Sequence, residues 1–212
     1  MSEFKINNII IPEELPVIAL KNTVLFPKLV IPIIIQRPKS IGALEFAQAH
    51  NRLVLFVTQK NSEDDISRRD LYEVGTIGRV VSVFKLPDGS SKIDVEGLIR
   101  ARITDFVAEE PFVRVNAEPM ALIIRDNLDE KAILRRAIEQ FRVISEARSF
   151  PTILPEIIYM MSQLKDTEHI ASLMTVNLNL DVENQQHILE LEGMLDVLRQ
   201  LNMYLSRGVQ IL

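Results

Sequence analysis

Hydrophobic residues follow two different periods along this chain, and the change falls near residue 121. In the first part, short apolar runs alternate with turn-forming Gly, Pro, Asn and Asp, a pattern that predicts β-strands. The predicted strands cover residues 15–20, 29–35, 53–59, 73–86, 92–109 and 112–120. A single helix is predicted at 38–51, where Pro38 suits the first turn. The runs at 15–20 and 29–35 are apolar enough to predict buried strands.

From Asn127 onward, apolar residues recur every three or four positions, the spacing of amphipathic helices. Asn127 followed by Glu130 is a capping-box arrangement, which predicts the start of a helix. The apolar stripe of this helix consists of Ile133, Leu134, Ala137, Ile138, Phe141 and Ile144. Three further helices are predicted at 156–164, 166–174 and 182–191. This part of the chain is therefore predicted to be a helical bundle.

The last stretch of the chain has a regular spacing of its own. Its apolar residues and one asparagine recur at alternating intervals of four and three, the seam of a coiled coil in which a polar residue sets the register. The seam consists of Leu191, Leu195, Leu198, Asn202, Leu205, Val209 and Leu212. An amphipathic helix packed on the bundle would give the same pattern, so both interpretations stand. Because the seam reaches the last residue, we expect the helix to continue in a longer parent chain, although Gly208 could instead end it.

The two longest predicted strands form a hairpin whose turn fixes its geometry. Pro87 presets φ, Asp88 suits the next position and Gly89 can adopt φ > 0, which together predict a type I turn closed by a glycine bulge. The predicted partners are Leu86 with Ser90, Phe84 with Lys92, Val83 with Ile93, Ser82 with Asp94, and Val81 with Val95. Gly97 predicts a bulge that bends the second strand and lets it join two sheets.

This register gives the hairpin two faces, because side chains alternate along a strand. The predicted core face carries Val81, Val83, Ile93 and Val95, and the solvent face carries Ser82, Phe84, Lys92, Asp94 and Glu96. Phe84 is the aromatic residue on the polar face, and Leu86 lies near the tip. Since an exposed apolar pair can mark a contact surface, we predict that Phe84 and Leu86 contact a substrate. The alternative is that Phe84 packs beneath another strand or the helical half.

Composition narrows the class of protein. The chain has 212 residues, 47% of them hydrophobic and 25% charged, which is typical of a globular protein with one large or two small domains. A net charge of −5 without a basic stripe disfavours a nucleic-acid surface. The absence of cysteine excludes disulfides and thiolate metal sites. No apolar stretch approaches the roughly 20 residues of a membrane span, and no signal peptide is recognisable, so a cytoplasmic location is expected.

The sequence offers no recognisable catalytic or cofactor site. None of the seven glycines begins a phosphate-binding loop, and there is no nucleophile elbow around a serine. His50, His169 and His187 fall in three separate predicted helices without the spacing of metal ligands. We therefore expect no catalytic residue, cofactor or metal within these 212 residues.

The hairpin segment 85–103, K-L-P-D-G-S-S-K-I-D-V-E-G-L-I-R-A-R-I, resembles the signature of the N-terminal domain of Lon, the ATP-dependent serine protease of bacteria. Four other blocks resemble the same family in the same order, and five ordered blocks are much harder to obtain by chance than one. These blocks lie at 15–35, 38–45, 70–78 and 186–190. Lys21 stands where the family usually has arginine, a conservative difference.

The resemblance implies an α+β fold in two parts. After an N-terminal lead-in at 1–14, residues 15–120 would form a β-rich, PUA-like pseudo-barrel with one helix. Residues 121–212 would form an all-α helical bundle with a long C-terminal helix.

The resemblance also implies a function. This chain would be a non-catalytic domain that recognises unfolded or damaged polypeptides and assists assembly of a homohexamer. The serine–lysine dyad, the AAA+ module, ATP and magnesium would belong to the parent outside residues 1–212. That parent would degrade abnormal and short-lived regulatory proteins in protein quality control and the stress response.

Two alternative functions are weighed against this one. A free-standing Lon-like domain could act as an adaptor or scaffold, but the unfinished heptad and the helical half argue against it. RNA binding would follow from the PUA likeness, but the acidic balance of the chain opposes it. We expect neither a nucleic acid nor a membrane as a partner.

Overall fold

The computed structural model of the chain describes residues 4–6, 8–61, 67–146 and 155–210. The chain divides into two compact units, Met1–Met120 and Ala121–Leu212. Among the described residues the first unit holds β-strands and one α-helix, whereas the second holds five α-helices. The predicted α+β class, with its β-rich first part, is therefore confirmed. No helix in the described ranges is long and apolar enough to cross a membrane.

The first unit begins earlier than the sequence pattern indicates. Residues 1–14 were expected to be only a lead-in, but two short strands pair there, with Phe4 opposite Ile11 and Ile6 opposite Ile9. Asn8 has a φ of 67°, a conformation that asparagine tolerates, so the apolar runs on either side can pair. The strands of this unit are β1 (Phe4–Ile6), β2 (Ile9–Ile11), β3 (Glu14–Leu20), β4 (Val30–Ile35), β5 (Leu53–Thr58), β6 (Val74–Lys85), β7 (Ser91–Ala108) and β8 (Arg114–Met120), and its helix is α1 (Pro38–Ala49).

Six of these strands form one sheet in the order β4-β7-β6-β5-β3-β8. Strands β7 and β8 also pair, so the described strands β7, β6, β5, β3 and β8 close on themselves and β4 lies at the free edge. The prediction that β7 joins two sheets is wrong, because β7 lies within this one sheet. One edge of β7 pairs with β4 along its first half and with β8 along its second half.

The predicted bulge near Gly97 is confirmed and marks the change between those two partners. Gly78 pairs with Gly97 and Ile77 with Ile99, which leaves Leu98 without an opposite residue on β6. Gly97 also lies against the chain before β4, where its N–H donates to Leu29 O at 2.8 Å. A Cβ atom at this position would lie 2.2 Å from Phe26 O, so only glycine permits this approach.

The cores of the first unit lie on both sides of this sheet. One cluster packs α1 against β3, β4, β5 and the first half of the hairpin, with Leu44, Phe56 and Ile93 at its centre. A second cluster lies between β3, β5, β8 and the second half of the hairpin, with Leu15, Leu55 and Ile77 fully buried. Both clusters are formed by residues of the first unit alone, which gives β4, β6 and β7 a rigid support.

The second unit is helical, as predicted. Asn127 caps its first helix, since its side-chain oxygen accepts a hydrogen bond from Glu130 N at 2.9 Å. The Glu130 carboxylate does not complete the predicted capping box, because it accepts from Arg125 N and Asp126 N instead. The helices are α2 (Leu128–Glu146), α3 (Pro155–Gln163), α4 (Thr167–Asn177), α5 (Val182–Glu190) and α6 (Met194–Gln210).

The terminal helix packs inside its own unit. Helix α6 contacts α2, and the Asn202 amide donates to Ile133 O at 3.2 Å across that contact. Leu198 and Leu205 of the predicted seam are fully buried, which favours a packed amphipathic helix over a coiled coil for these residues. Gly208 lies within α6 and does not end it there. The side chain of Val209 and the whole of Leu212 lie outside the described residues.

Candidate functional site

The turn at the hairpin tip has the geometry that its sequence predicts. Gly89 N donates to Leu86 O at 3.0 Å, which closes a type I turn, and Gly89 has a φ of 85°. Leu86 N then donates to Ser90 O at 2.8 Å, so the two strands leave the turn in the predicted register. Gly89 thus occupies the left-handed position of the turn, which glycine adopts without strain.

Asp88 holds the second half of this turn. Its Oδ1 accepts hydrogen bonds from Ser90 N at 3.0 Å and from Ser90 Oγ at 2.6 Å. These two bonds, the hydroxyl first, lower the pKa of the exposed Asp88 carboxyl because they stabilise its charged form. The tip is therefore a fixed support for the side chains beside it.

The predicted register of the hairpin is confirmed over most of its length. Phe84 pairs with Lys92, Val83 with Ile93, and Ser82 with Asp94. The prediction for Val81 is wrong. Val80 is the residue opposite Val95, and Val81 is the extra residue of a β-bulge with 48% of its surface exposed.

Phe84 is exposed, with 59% of its surface open to solvent. This exposure does not fit the alternative that Phe84 packs beneath another strand of its unit. Leu86, beside the turn, is half-buried. Of the two predicted contact residues, Phe84 is thus exposed and Leu86 is partly exposed.

The neighbouring strand β4 adds apolar residues that the sequence analysis missed. Val30 and Ile34 are 62% and 60% exposed, and Pro32 between them is also exposed, although the whole run was expected to be buried. Strand β4 is at the sheet edge, so its alternate residues Ile31, Ile33 and Ile35 face the core while the others face outward. Pro32 was the available signal, since proline within a strand is typical of an edge.

Strands β4, β7 and β6 present these residues on one surface, which we call the outer face. Ile34, Lys92 and Phe84 lie in one cross-strand row, and Pro32, Asp94 and Ser82 lie in the next. The third row consists of Val30, Glu96 and Arg79. Because neighbouring strands are about 4.8 Å apart, the Cα atoms of Ile34 and Phe84 are separated by about 10 Å across β7.

The carboxylates at the centre of the outer face have partners. Arg79 Nη2 and Nε donate hydrogen bonds to Glu96 Oε2 at 2.5 Å and 3.1 Å. The Ser82 hydroxyl donates to Asp94 Oδ2 at 2.5 Å. The outer face therefore combines apolar positions on β4 and β6 with a central charged strand whose acidic groups are already hydrogen-bonded.

The described residues offer no metal centre. In residues 4–6, 8–61, 67–146 and 155–210, no group of three or more His, Cys, Asp or Glu side chains is placed to hold a metal ion. His50 has a local role, since its Nδ1 lies 2.7 Å from Phe46 O and its ring stacks on Phe46.

Comparison with solved structures defines the class of this fold as that of Lon N-terminal domains. The N-terminal domain of the Mycobacterium avium complex Lon protease superposes with a TM-score of 0.72 at 21% identity, covering 91% of this chain and 98% of that chain. The Lon N-terminal domain protein from Xanthomonas campestris gives 0.58 at 14% identity, covering 89% and 96% respectively. These likenesses establish the fold.

The family follows from the sequence itself. Residues 14–207 match the family model described as the ATP-dependent protease La (LON) substrate-binding domain, and the chain belongs to this family. The Lon protease of Trichlorobacter lovleyi is 35% identical over 207 residues, which are 95% of this chain and 25% of that protein. The Lon protease of Flavobacterium johnsoniae is 32% identical over 213 residues, 97% of this chain and 26% of that protein. The chain thus spans about a quarter of the length of these curated relatives.

Proposed function

We propose that this chain is the part of an ATP-dependent Lon protease that recognises polypeptide substrates, and that it binds unfolded or damaged segments on the outer face. The observation that carries the proposal is the exposure of Val30, Ile34 and Phe84 together on one rigid sheet surface. Unfolded proteins share exposed apolar segments without sharing a sequence. A receptor for them needs apolar contact points on a support that does not collapse.

The energetics of such a surface suit transient capture. Full burial of a large apolar side chain contributes about 1.5–3 kcal/mol, so three such contacts give several kcal/mol before the entropy cost of association is subtracted. The result is weak binding by one copy, which a protease that must release and pass on its substrate requires. Several copies in one assembly would raise the effective affinity.

The rest of the proposal concerns the parent protein. Its serine–lysine dyad, ATP and magnesium would belong to segments outside these 212 residues, and this domain would be non-catalytic. We propose a cytoplasmic homohexamer acting in protein quality control and the stress response, with the helical unit assisting assembly. The closed pairing of β3, β5, β6, β7 and β8 supports a PUA-like pseudo-barrel for the first unit.

The test is binding of an unfolded protein and of its folded form to the 212-residue chain without ATP. We expect preference for the unfolded form, and the double substitution Ile34→Asp with Phe84→Asp should weaken it more than about tenfold, since two apolar contacts are lost. Leu86→Asp should have a smaller effect because Leu86 is half-buried. Fluorescence anisotropy measures each affinity.

The matched control is Val107→Asp. Val107 is 42% exposed near the far end of β7, away from the outer face, and its substitution should leave binding unchanged. Circular dichroism verifies that each variant is folded. Unchanged binding by the folded double variant would show that the outer face does not bind substrates.

A further inference from the structure

A pocket of about 440 Å³ lies at the end of the outer face. Its walls come from the end of β3 and the residues after it, from β4, and from the start of α1. Pro32 and Ile34 line this pocket and also belong to the outer face, so the two surfaces are continuous. A peptide lying along β4 can therefore reach the pocket with its next residues.

The charged side chains that line this pocket are cationic. Lys21 and Arg37 are the charged residues among those that line it, and none of the lining residues is a carboxylate. Arg37 Nη2 donates to Gln59 Oε1 at 2.6 Å, but the buried Arg37 Nη1 has no hydrogen-bond partner among the described residues. A buried donor without an acceptor is unfavourable by about 1–3 kcal/mol, so a shift of the guanidinium that brings Nη1 to an anionic group in the pocket would remove that cost. A planar carboxylate can accept two parallel hydrogen bonds from a guanidinium.

The position of α1 limits what can enter. Strand β4 ends at Ile35 and helix α1 begins at Pro38. The first turn of α1 contributes Ser40 to the pocket wall. A peptide that follows β4 in this direction meets the helix instead of a continuing sheet edge. This favours a chain end over a continuing chain, and the positive charge favours a carboxyl end over an amino end.

We infer that this pocket binds the C-terminal carboxylate of an extended substrate peptide whose preceding apolar residues lie on the outer face, parallel to β4. The inference rests on the proposed function, because it assigns the outer face to the same peptide. The pocket would add a selectivity that the outer face alone lacks, namely a preference for apolar segments at the carboxyl ends of substrates.

The experiment uses three labelled peptides of the same apolar sequence with the 212-residue chain. The first has a free C-terminal carboxylate, the second a C-terminal amide, and the third an amide with glutamate as its penultimate residue. Because a hydrogen bond to a charged group contributes about 1.5–3 kcal/mol, the free acid should bind at least about tenfold more tightly than the two amides. Fluorescence anisotropy gives the three dissociation constants, and the advantage of the acid should fall at high salt.

Variants assign the effect to Arg37. Arg37→Gln should remove the difference between acid and amide, and Arg37→Lys should retain part of it, since lysine keeps the charge without the planar fork. Arg69→Gln is the control, because Arg69 is an exposed arginine that does not line the pocket. The comparison of acid with amide on the unsubstituted chain needs no variant and so does not depend on how Arg37 substitutions fold.

Each result decides the inference. Equal binding of acid and amide, with both weakened by the Ile34 and Phe84 substitutions, would overturn the pocket assignment and leave the proposed function intact. Binding of the glutamate peptide as tightly as the free acid would show recognition of acidic side chains and overturn the chain-end assignment. Binding of an unfolded protein but of none of the three peptides would also overturn it. If the unsubstituted chain binds neither the unfolded protein nor any of the three peptides, the proposed function is overturned as well.

Discussion

At the scale of single residues, Asp88 links the solution pH to the geometry of the hairpin tip. Its carboxylate accepts both hydrogen bonds from Ser90, and these bonds lower its pKa. A carboxyl whose pKa is lowered in the folded chain stabilises it fully above the ordinary Asp pKa of about 3.9. That contribution is lost as the pH falls through the lower folded value. We therefore expect the tip to loosen only below about pH 3.9, with a midpoint under that value.

The measurement is an NMR titration of the Gly89 and Ser90 amide signals from about pH 6 to about pH 2. Asp88→Asn is the control, because it keeps a side-chain acceptor for Ser90 but has no proton to gain in this range. A midpoint at or above about 3.9 in the unsubstituted chain would contradict the role assigned to the Ser90 bonds.

Single residues also explain where the hairpin could be predicted and where it could not. The identities of Pro87, Asp88 and Gly89 fix the turn, and the turn fixes the pairing back to Ser82. Beyond Ser82 a bulge adds Val81, and one extra residue reverses every face that follows. A local turn therefore predicts its own neighbourhood, whereas the bulge depends on packing between strands that no local sequence encodes.

At the scale of the element, β4 contains the part of the candidate site that the sequence analysis missed. The run V-I-P-I-I-I has no alternation of apolar and polar residues, so its pattern alone predicts a strand buried on both faces. Its actual position at the sheet edge is decided by the long-range pairing of Ile33 with Ile93 and of its neighbours along β7. The exposed apolar residues of β4 are thus a property of the sheet order and could not be found from periodicity.

The backbone of β4 gives Pro32 a second role. Leu29 O accepts from Gly97 N, which places Leu29 and every second residue after it in the hydrogen-bonded pairs with β7. Val30, Pro32 and Ile34 therefore direct their backbone groups to the free edge, and the middle one has no N–H. An edge interrupted in this way is a poor template for pairing with another strand.

We predict that Pro32→Thr increases self-association of the chain, because it restores the missing N–H in a residue that favours strands. Sedimentation velocity at increasing concentration should show a larger average mass than for the unsubstituted chain. Val30→Thr is the control, since it makes the same edge more polar without adding a donor. If both variants sediment like the unsubstituted chain at every concentration, Pro32 does not protect this edge.

At the scale of the whole molecule, the hydrophobic period of the sequence changes near residue 121. The chain divides at the same place, into Met1–Met120 and Ala121–Leu212. Helical periodicity is a local property, so the existence of the helices in the second unit could be predicted. The partner of the terminal helix could not, because a seam of apolar residues fits another copy or its own bundle equally well. The contact of α6 with α2 decides this for the described residues.

The organisation into units leads to a last prediction, that residues 1–120 fold and bind substrate without the helical unit. Both hydrophobic clusters of the first unit, the outer face and the pocket consist of residues before 121. Because all of these residues are present in the fragment, it should bind the same unfolded protein within about twofold of the full chain. Circular dichroism and anisotropy test the two parts of the prediction, with residues 121–212 as the control that should not bind.

A fragment that folds cooperatively but binds more than about tenfold more weakly would mean that the helical unit supplies part of the substrate surface. An unfolded fragment would mean that the clusters of the first unit are insufficient to stabilise it.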